Sequence, residues 1–189
     1  MSAVTGGRIL VAGIGNVFLA DDGFGVEVVS RLDRSALPDV VDVADYGIRG
    51  VHLAYELLGG RYDTLVLVDA VPSGEAPGTI SVLDVTEEQD EAGPASGDAF
   101  HAPVMDGHGL HPQAVLGLIR TLGGRVGRVL VVGCQPELVE ERMGLSPTVD
   151  AAVDEALAVL TEVLREEAGR ERATPAEIGA GNGGGMGKG

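Results

Sequence analysis

An α/β fold, a single three-layer domain with a mostly parallel, twisted sheet of about five strands and helices on both faces, is predicted by three features of the sequence. Short, continuous apolar runs alternate with stretches of helical spacing. The runs read as strands buried on both faces, because they lack the in–out alternation of a half-wet strand. The chain has 189 residues, 44% of them apolar, which is enough for one core and shows no second domain or internal repeat.

RILVAGIG (8–15) is the first such run. After the turn GNVFLADDGFG, the residues Val26, Val29 and Leu32 recur at helical spacing. VVDVADY (40–46) is a second strand, and 51–58 a short helix closed by Gly59-Gly60. TLVLVDA (64–70) is a third strand, and GTISVLDV (78–85), β-branched and alternating, a fourth. Residues 86–107 are acidic, then rich in Gly, Ala and Pro, and read as a long exposed loop. A helix is expected over 110–122, closed by Gly123-Gly124, and a fifth strand in RVLVVGC (128–134). Val149, Ala152, Val153, Ala156, Leu157, Leu160, Val163 and Leu164 make a regular apolar stripe, with Ser146-Pro147-Thr148 as capping chemistry. The domain is therefore placed at 1–168. Residues 169–189, ending GAGNGGGMGKG, are expected to form a flexible, glycine-rich tail.

Composition narrows the function. A formal charge of −16 argues against nucleic acid and anionic membrane surfaces as partners. Trp is absent and aromatics are 3%, so base-stacking platforms are not expected. No apolar run reaches the 18 or so residues of a membrane span, and the N-terminus has no cleavable apolar helix. With one cysteine, Cys134, no internal disulfide forms, and a cytoplasmic location is expected.

A glycine-rich turn between strand and helix suggests phosphate binding, but the details oppose it. Gly13 and Gly15 are present, whereas Phe18 stands where a dinucleotide fingerprint needs a third glycine. No Lys-Ser or Lys-Thr pair follows. Asp21 and Asp22 would repel a pyrophosphate. In open parallel sheets, ligands sit beyond the C-terminal ends of the strands. There the chain places Asp21 and Asp22 after strand one, Asp45 after strand two, Asp69 at the end of strand three and His108 before the helix at 110. Carboxylates with an imidazole suit a borderline divalent metal such as zinc, nickel or manganese.

Each residue also has a plainer explanation. Asp21 or Asp22 can cap the following helix, Asp69 can bind turn amides, His108 can order its loop, and Asp45 can be a turn residue. Asp69 fits its plain explanation least, because a charge ending an apolar strand needs a partner. Cys134 as a nucleophile, with His108 or His111 as base, is disfavoured because the cysteine ends a core-like strand. No G-x-S-x-G elbow is present.

The set of stretches ILVAGIGNVFLADDGFGVEVVSRL (9–32), DYGIRG (45–50), LVLVDAVPSGEAPGTI (65–80), HGLHPQAVL (108–116) and VVGCQPELVEERMGLSPTV (131–149) resembles the hydrogenase maturation proteases, in that family's order and over nearly all of residues 8–165. The resemblance implies a phosphorylase/hydrolase-like fold. It also implies an endopeptidase that removes a C-terminal extension from the large-subunit precursor of a nickel–iron hydrogenase once nickel is installed. Carried over by position, the metal-contacting residues are Asp22, Asp69 and His108, and Asp45 matches an aspartate linked to substrate processing. Asp22 is glutamate in some members. The catalytic carboxylates would be Asp22, Asp69 and Asp45. The nickel would arrive with the substrate, and zinc or cadmium could occupy the same ligands. Hydrolysis by metal-polarised water or carbonyl, or by an aspartate acting as general base, both stay open. The partner implied is the large-subunit precursor, and the protease is expected to be a monomer, since no long apolar stripe is left once the core is assigned. The competing readings are a non-catalytic nickel-binding or chaperone-like module on the same fold and a nucleotide-dependent enzyme.

Overall fold

The computed structural model describes residues 7–86 and 112–173. Five strands form one sheet in the order β2-β1-β3-β5-β4. They are β1 (Ile9–Ile14), β2 (Val41–Gly47), β3 (Thr64–Ala70), β4 (Ile80–Asp84) and β5 (Arg128–Cys134). The first three and β5 are parallel, and β4 runs antiparallel to β5 at one edge. The helices are α1 (Phe24–Arg31), α2 (Gly50–Leu58), α3 (Pro112–Thr121) and α4 (Pro147–Ala173).

Side-chain parity on the central strands builds the two cores. Ile9 and Val11, Val66 and Val68, and Leu130 and Val132 face one way, against Phe24, Val28 and Val29 of α1 and Val149, Val153, Ala156, Leu160 and Leu164 of α4. The alternate residues Leu10 and Ala12, Leu65 and Leu67, and Val129 and Val131 face the other way, against Leu53 and Leu57 of α2 and Val115 and Ile119 of α3. Both faces of β1 and β3 are thus buried, as their unbroken apolar runs require. Each buried leucine contributes roughly 1.5–3 kcal/mol through removal of its surface from water.

The helix ends follow local chemistry. Gly123 closes α3 at a φ of 78°, and the Gly124 amide donates to Ile119 O at 2.9 Å, satisfying an end carbonyl. Ser146 precedes α4, and its hydroxyl oxygen accepts from the Val149 amide at 3.4 Å. The helix runs on to Ala173, past Gly169, where the tail was expected to begin. The expected loop over 86–107 falls, beyond Thr86, outside the described residues, as do His108, His111 and the end of the tail. Among the described residues no helix is long and apolar enough to cross a membrane.

Topology fixes where a ligand can enter. The chain leaves β1 through α1 on one face to reach β2, then returns through α2 on the other face to reach β3, on the opposite side of β1. The direction of winding therefore reverses between β1 and β3. A crevice opens at such a switch point, beyond the carboxyl ends of the strands. Asp22 follows β1, and Asp69 is the second-to-last residue of β3.

Candidate active site

Between β1 and α1 the chain makes one 3-10 turn, Ala20–Gly23, whose four residues are all buried. Glycines allow it to sit this close to the sheet. Gly15 has a φ of 128°, and a Cβ there would lie 1.9 Å from the Asp22 carbonyl oxygen. A Cβ on Gly25 would lie 1.9 Å from the Val68 carbonyl oxygen and 2.4 Å from that of Ile14. Gly25, at the start of α1, therefore does what a third fingerprint glycine would have done at position 18: it lets the helix backbone touch the strand ends. Ala20 holds a left-handed φ of 52° while 1% exposed, a strained conformation for a residue with a Cβ.

The two adjacent aspartates part company. Neither caps α1, whose N-cap is Gly23 with no side-chain bond. Asp21 is fully buried and turned towards the loop after β5. One of its oxygens accepts from the amides of Glu137 and Leu138, both at 2.9 Å, and from the Ser146 hydroxyl at 2.9 Å; the other accepts from the Ser146 amide at 2.6 Å. Four donors offset the burial of its charge, with no counter-ion among the described residues. Asp22 faces the crevice instead, with one oxygen accepting from the Asn16 amide at 2.8 Å.

Asp69 is 2% exposed, and among the described residues its one hydrogen bond comes from the amide of Ala70, at 2.8 Å. Burial pushes its carboxyl well above the usual carboxylate range, and the neighbouring Asp22 charge pushes it further; the Ala70 amide pulls the other way. Asp22 and Asp69 are thus brought together at the switch point, as the sequence suggested. Asp45 lies on the same edge, paired in register with Gly13, but it is exposed. It shares parity with Val41 and Val43, whereas Asp69 shares parity with Leu65 and Leu67, so the two strands turn these aspartates to opposite faces. Their strands are two apart, about 10 Å at ordinary strand spacing.

Among the described residues no group of three His, Cys, Asp or Glu side chains is arranged to hold a metal. The crevice itself supplies two carboxylates. Hard and borderline divalent cations accept such oxygen donors. A cation there would offset the burial, first, and the Asp22 charge that now raise Asp69. Cys134 is fully buried, with its thiol pushed up to about 12 by burial, first, and by the charge of Asp21. It is therefore a core residue and no nucleophile.

Sequence reasoning missed supporting roles of three residues, though it expected Ser146 as capping chemistry. Asn16 donates its amide to Asp22 and accepts the Phe18 amide on its side chain at 3.0 Å. Its place in G-x-G-N was the available signal. Gln135 accepts on one oxygen from the Ser73 amide, the Ser73 hydroxyl and the Gly74 amide, at 2.7, 3.1 and 3.0 Å, which ties down the segment that follows Asp69. Ser146 anchors Asp21 across 125 residues, a separation that no local pattern reports.

With the crevice, its paired aspartates and its glycine-lined turn established, similarity to known proteins decides the family. The family model described as hydrogenase maturation protease matches residues 26–163. The chain belongs to the hydrogenase maturation protease family. It is 37% identical over 161 residues to the hydrogenase 2 maturation protease of Escherichia coli, an alignment covering 84% of this chain and 92% of that one. It is 34% identical to a putative hydrogenase maturation protease of Methanocaldococcus jannaschii, covering 84% and 97%. Among solved structures, the E. coli hydrogenase maturating endopeptidase superposes with a TM-score of 0.63 at 31% identity, over 84% of this chain and 93% of that one. The hydrogenase maturation protease family is one of peptidases, and the nucleotide-dependent reading is set aside.

Proposed function

We propose that this protein is an endopeptidase that removes a C-terminal extension from the large-subunit precursor of a nickel–iron hydrogenase after nickel has been inserted, with Asp22, Asp69 and His108 sensing the nickel that the precursor carries. The observation that carries the proposal is the pair Asp22 and Asp69 at the switch point, with Asp69 buried, lacking a counter-ion among the described residues and raised in proton affinity. A buried carboxylate in that state gains from a cation more than a solvated one does. A nickel ion held in the precursor satisfies both aspartates, and a nickel-free precursor leaves the buried Asp69 without that cation. Binding free energy then separates loaded from empty precursor.

The same state bears on proton handling. Asp69 holds a proton more tightly than an ordinary carboxyl group, and an arriving cation displaces that proton. The nickel belongs to the substrate. The chain's own residues position the scissile segment and hold or release protons beside it. Asp45, exposed and on the other face, is assigned to contact with the precursor chain beyond the crevice.

The test is co-expression with candidate large-subunit precursors, with and without nickel, read by intact mass. Asp22→Ala, Asp69→Ala and His108→Ala leave the nickel-loaded precursor uncut while each variant keeps a native circular dichroism spectrum. Normal mass loss with all three variants rules the proposal out. Stable binding without mass loss in the wild type favours the chaperone-like alternative.

A further inference from the structure

Beside the Asp22 turn lies an open groove of about 560 Å³ lined by Asn16, Phe18, Leu19, Glu141, Arg142 and Met143. Two of these side chains are large, apolar and turned to solvent: Phe18 is 63% and Met143 70% exposed. Val17 and Val139, on the same two segments, are also exposed. Apolar side chains clustered in this way on a soluble domain mark an interaction surface more often than an accident of composition. Exposed aromatic and methionine side chains are the usual anchors of such surfaces.

The groove is built before any partner arrives. The Arg142 amide donates to Phe18 O at 3.0 Å, and the Ala20 amide donates to Arg142 O at 2.7 Å, so the two walls are laced together as a short parallel bridge. The buried Asp21 holds the second wall at Glu137, Leu138 and Ser146. Walls fixed in advance lose little conformational freedom on binding. The groove is also continuous with the crevice. Asn16 lines it, accepts the Phe18 amide and donates its own amide to Asp22.

Charge indicates what it accepts. Residues 137–143, ELVEERM, carry three glutamates against one arginine, all exposed, in a chain of net charge −16. An apolar side chain flanked by lysine or arginine complements that surface, and an acidic segment is repelled.

We propose that the Phe18–Met143 groove docks an apolar side chain of the large-subunit precursor, flanked by basic residues, and thereby sets the precursor against Asp22 and Asp69. This rests on the reading of the precursor as substrate. The test measures binding and cleavage separately. Purified nickel-loaded precursor is titrated calorimetrically against the wild type, Phe18→Ser/Met143→Ser, Phe18→Leu and Glu140→Lys/Glu141→Lys, with thermal melts confirming that each is folded. The double serine variant is expected to bind at least tenfold more weakly, with KM raised and kcat at saturation within twofold. Phe18→Leu stays within threefold of wild type. The lysine variant loses affinity at low salt, and the difference shrinks at high salt. A precursor that binds through the groove yet is never cut removes the endopeptidase reading and leaves the docking surface standing. Affinity within twofold of wild type for the double serine variant overturns the proposal. So does a wild-type dimer in sedimentation that the serine substitutions abolish, since the groove's occupant is then a second copy of this chain.

Discussion

The Asp21 carboxylate takes both the amide and the hydroxyl of Ser146, at 2.6 and 2.9 Å, and so joins the turn after β1 to the start of α4. The neighbouring residue, Asp22, presents its charge to the crevice from that same turn. The position of one aspartate thus depends on the burial of the other. The loop that follows β5 is held by the same carboxylate at Glu137 and Leu138.

Asp21→Asn tests that dependence. An asparagine has one accepting oxygen, so whichever way its amide turns, its NH2 faces amide donors. Hydrogen bonds to a charged group contribute about 1.5–3 kcal/mol each, and unmatched buried donors add to the loss. Asp21→Asn is expected to lower stability by about 2–4 kcal/mol, and Asp21→Ala by at least as much. A urea midpoint equal to that of the wild type for Asp21→Asn counts directly against the clamp.

Gly25 and Gly74 should respond differently to an added Cβ. A Cβ on Gly25 meets the Val68 and Ile14 carbonyl oxygens at 1.9 and 2.4 Å, backbone atoms that cannot step aside. Gly25→Ala is expected to cost more than about 3 kcal/mol or to leave the protein insoluble. Gly74 has a φ of 80° but nothing near its Cβ position, so Gly74→Ala costs only the left-handed penalty of about 1 kcal/mol. Thermal melts of both variants make the comparison, and equal losses would show that backbone contact is not what Gly25 serves.

The elements that sequence patterning reached are those whose burial is locally encoded. Within their end residues β3 and β5 are apolar on both parities (LVLV and VLVV), so 64–70 and 128–134 stood out with their ends correct. The crevice carboxylates were legible because a charged residue closing an apolar strand is conspicuous, and the switch-point rule says where it points. The direction of β4 needed another argument: Val71–Thr79 is shorter than the dozen or so residues of a crossover, so the strand returns antiparallel. The Gly25 approach and the Asp21 partners were not legible. Both are contacts between segments brought together only by the finished sheet, and no period or spacing records them. The sequence offered Asp21 as a helix cap; the geometry instead gives it a supporting role, holding the loop after β5.

Cys134 should be chemically silent. Its side chain has no exposure and its thiol is pushed up to about 12, so little thiolate forms at neutral pH and reagents cannot reach it. Iodoacetamide at pH 8 is expected to leave the native protein unlabelled and to label it once in urea. Cys134→Ala costs about 1 kcal/mol through the small cavity it leaves and keeps precursor cleavage. Loss of cleavage by a folded Cys134→Ala would reopen the nucleophile reading.

The most informative measurement on the metal-free protein concerns Asp69 and pH. Its proton affinity is raised in the fold, above the value of about 3.9 in the unfolded chain. Between those two values the folded state binds the extra proton, so stability falls as pH rises through that window and levels off above the folded value. Asp69→Asn removes the titrating group while keeping an oxygen for the Ala70 amide. The variant should match the wild type near pH 4 and be the more stable of the two at pH 7. The sign of that difference, not its size, is what the raised proton affinity of Asp69 dictates. A divalent cation should then narrow the gap at pH 7 by stabilising the wild type alone, because only the aspartate gains from it. Urea midpoints for both proteins across pH 4–8 decide the matter. Parallel curves would mean that Asp69 is charged and satisfied in the folded protein, which is the opposite of what its burial dictates.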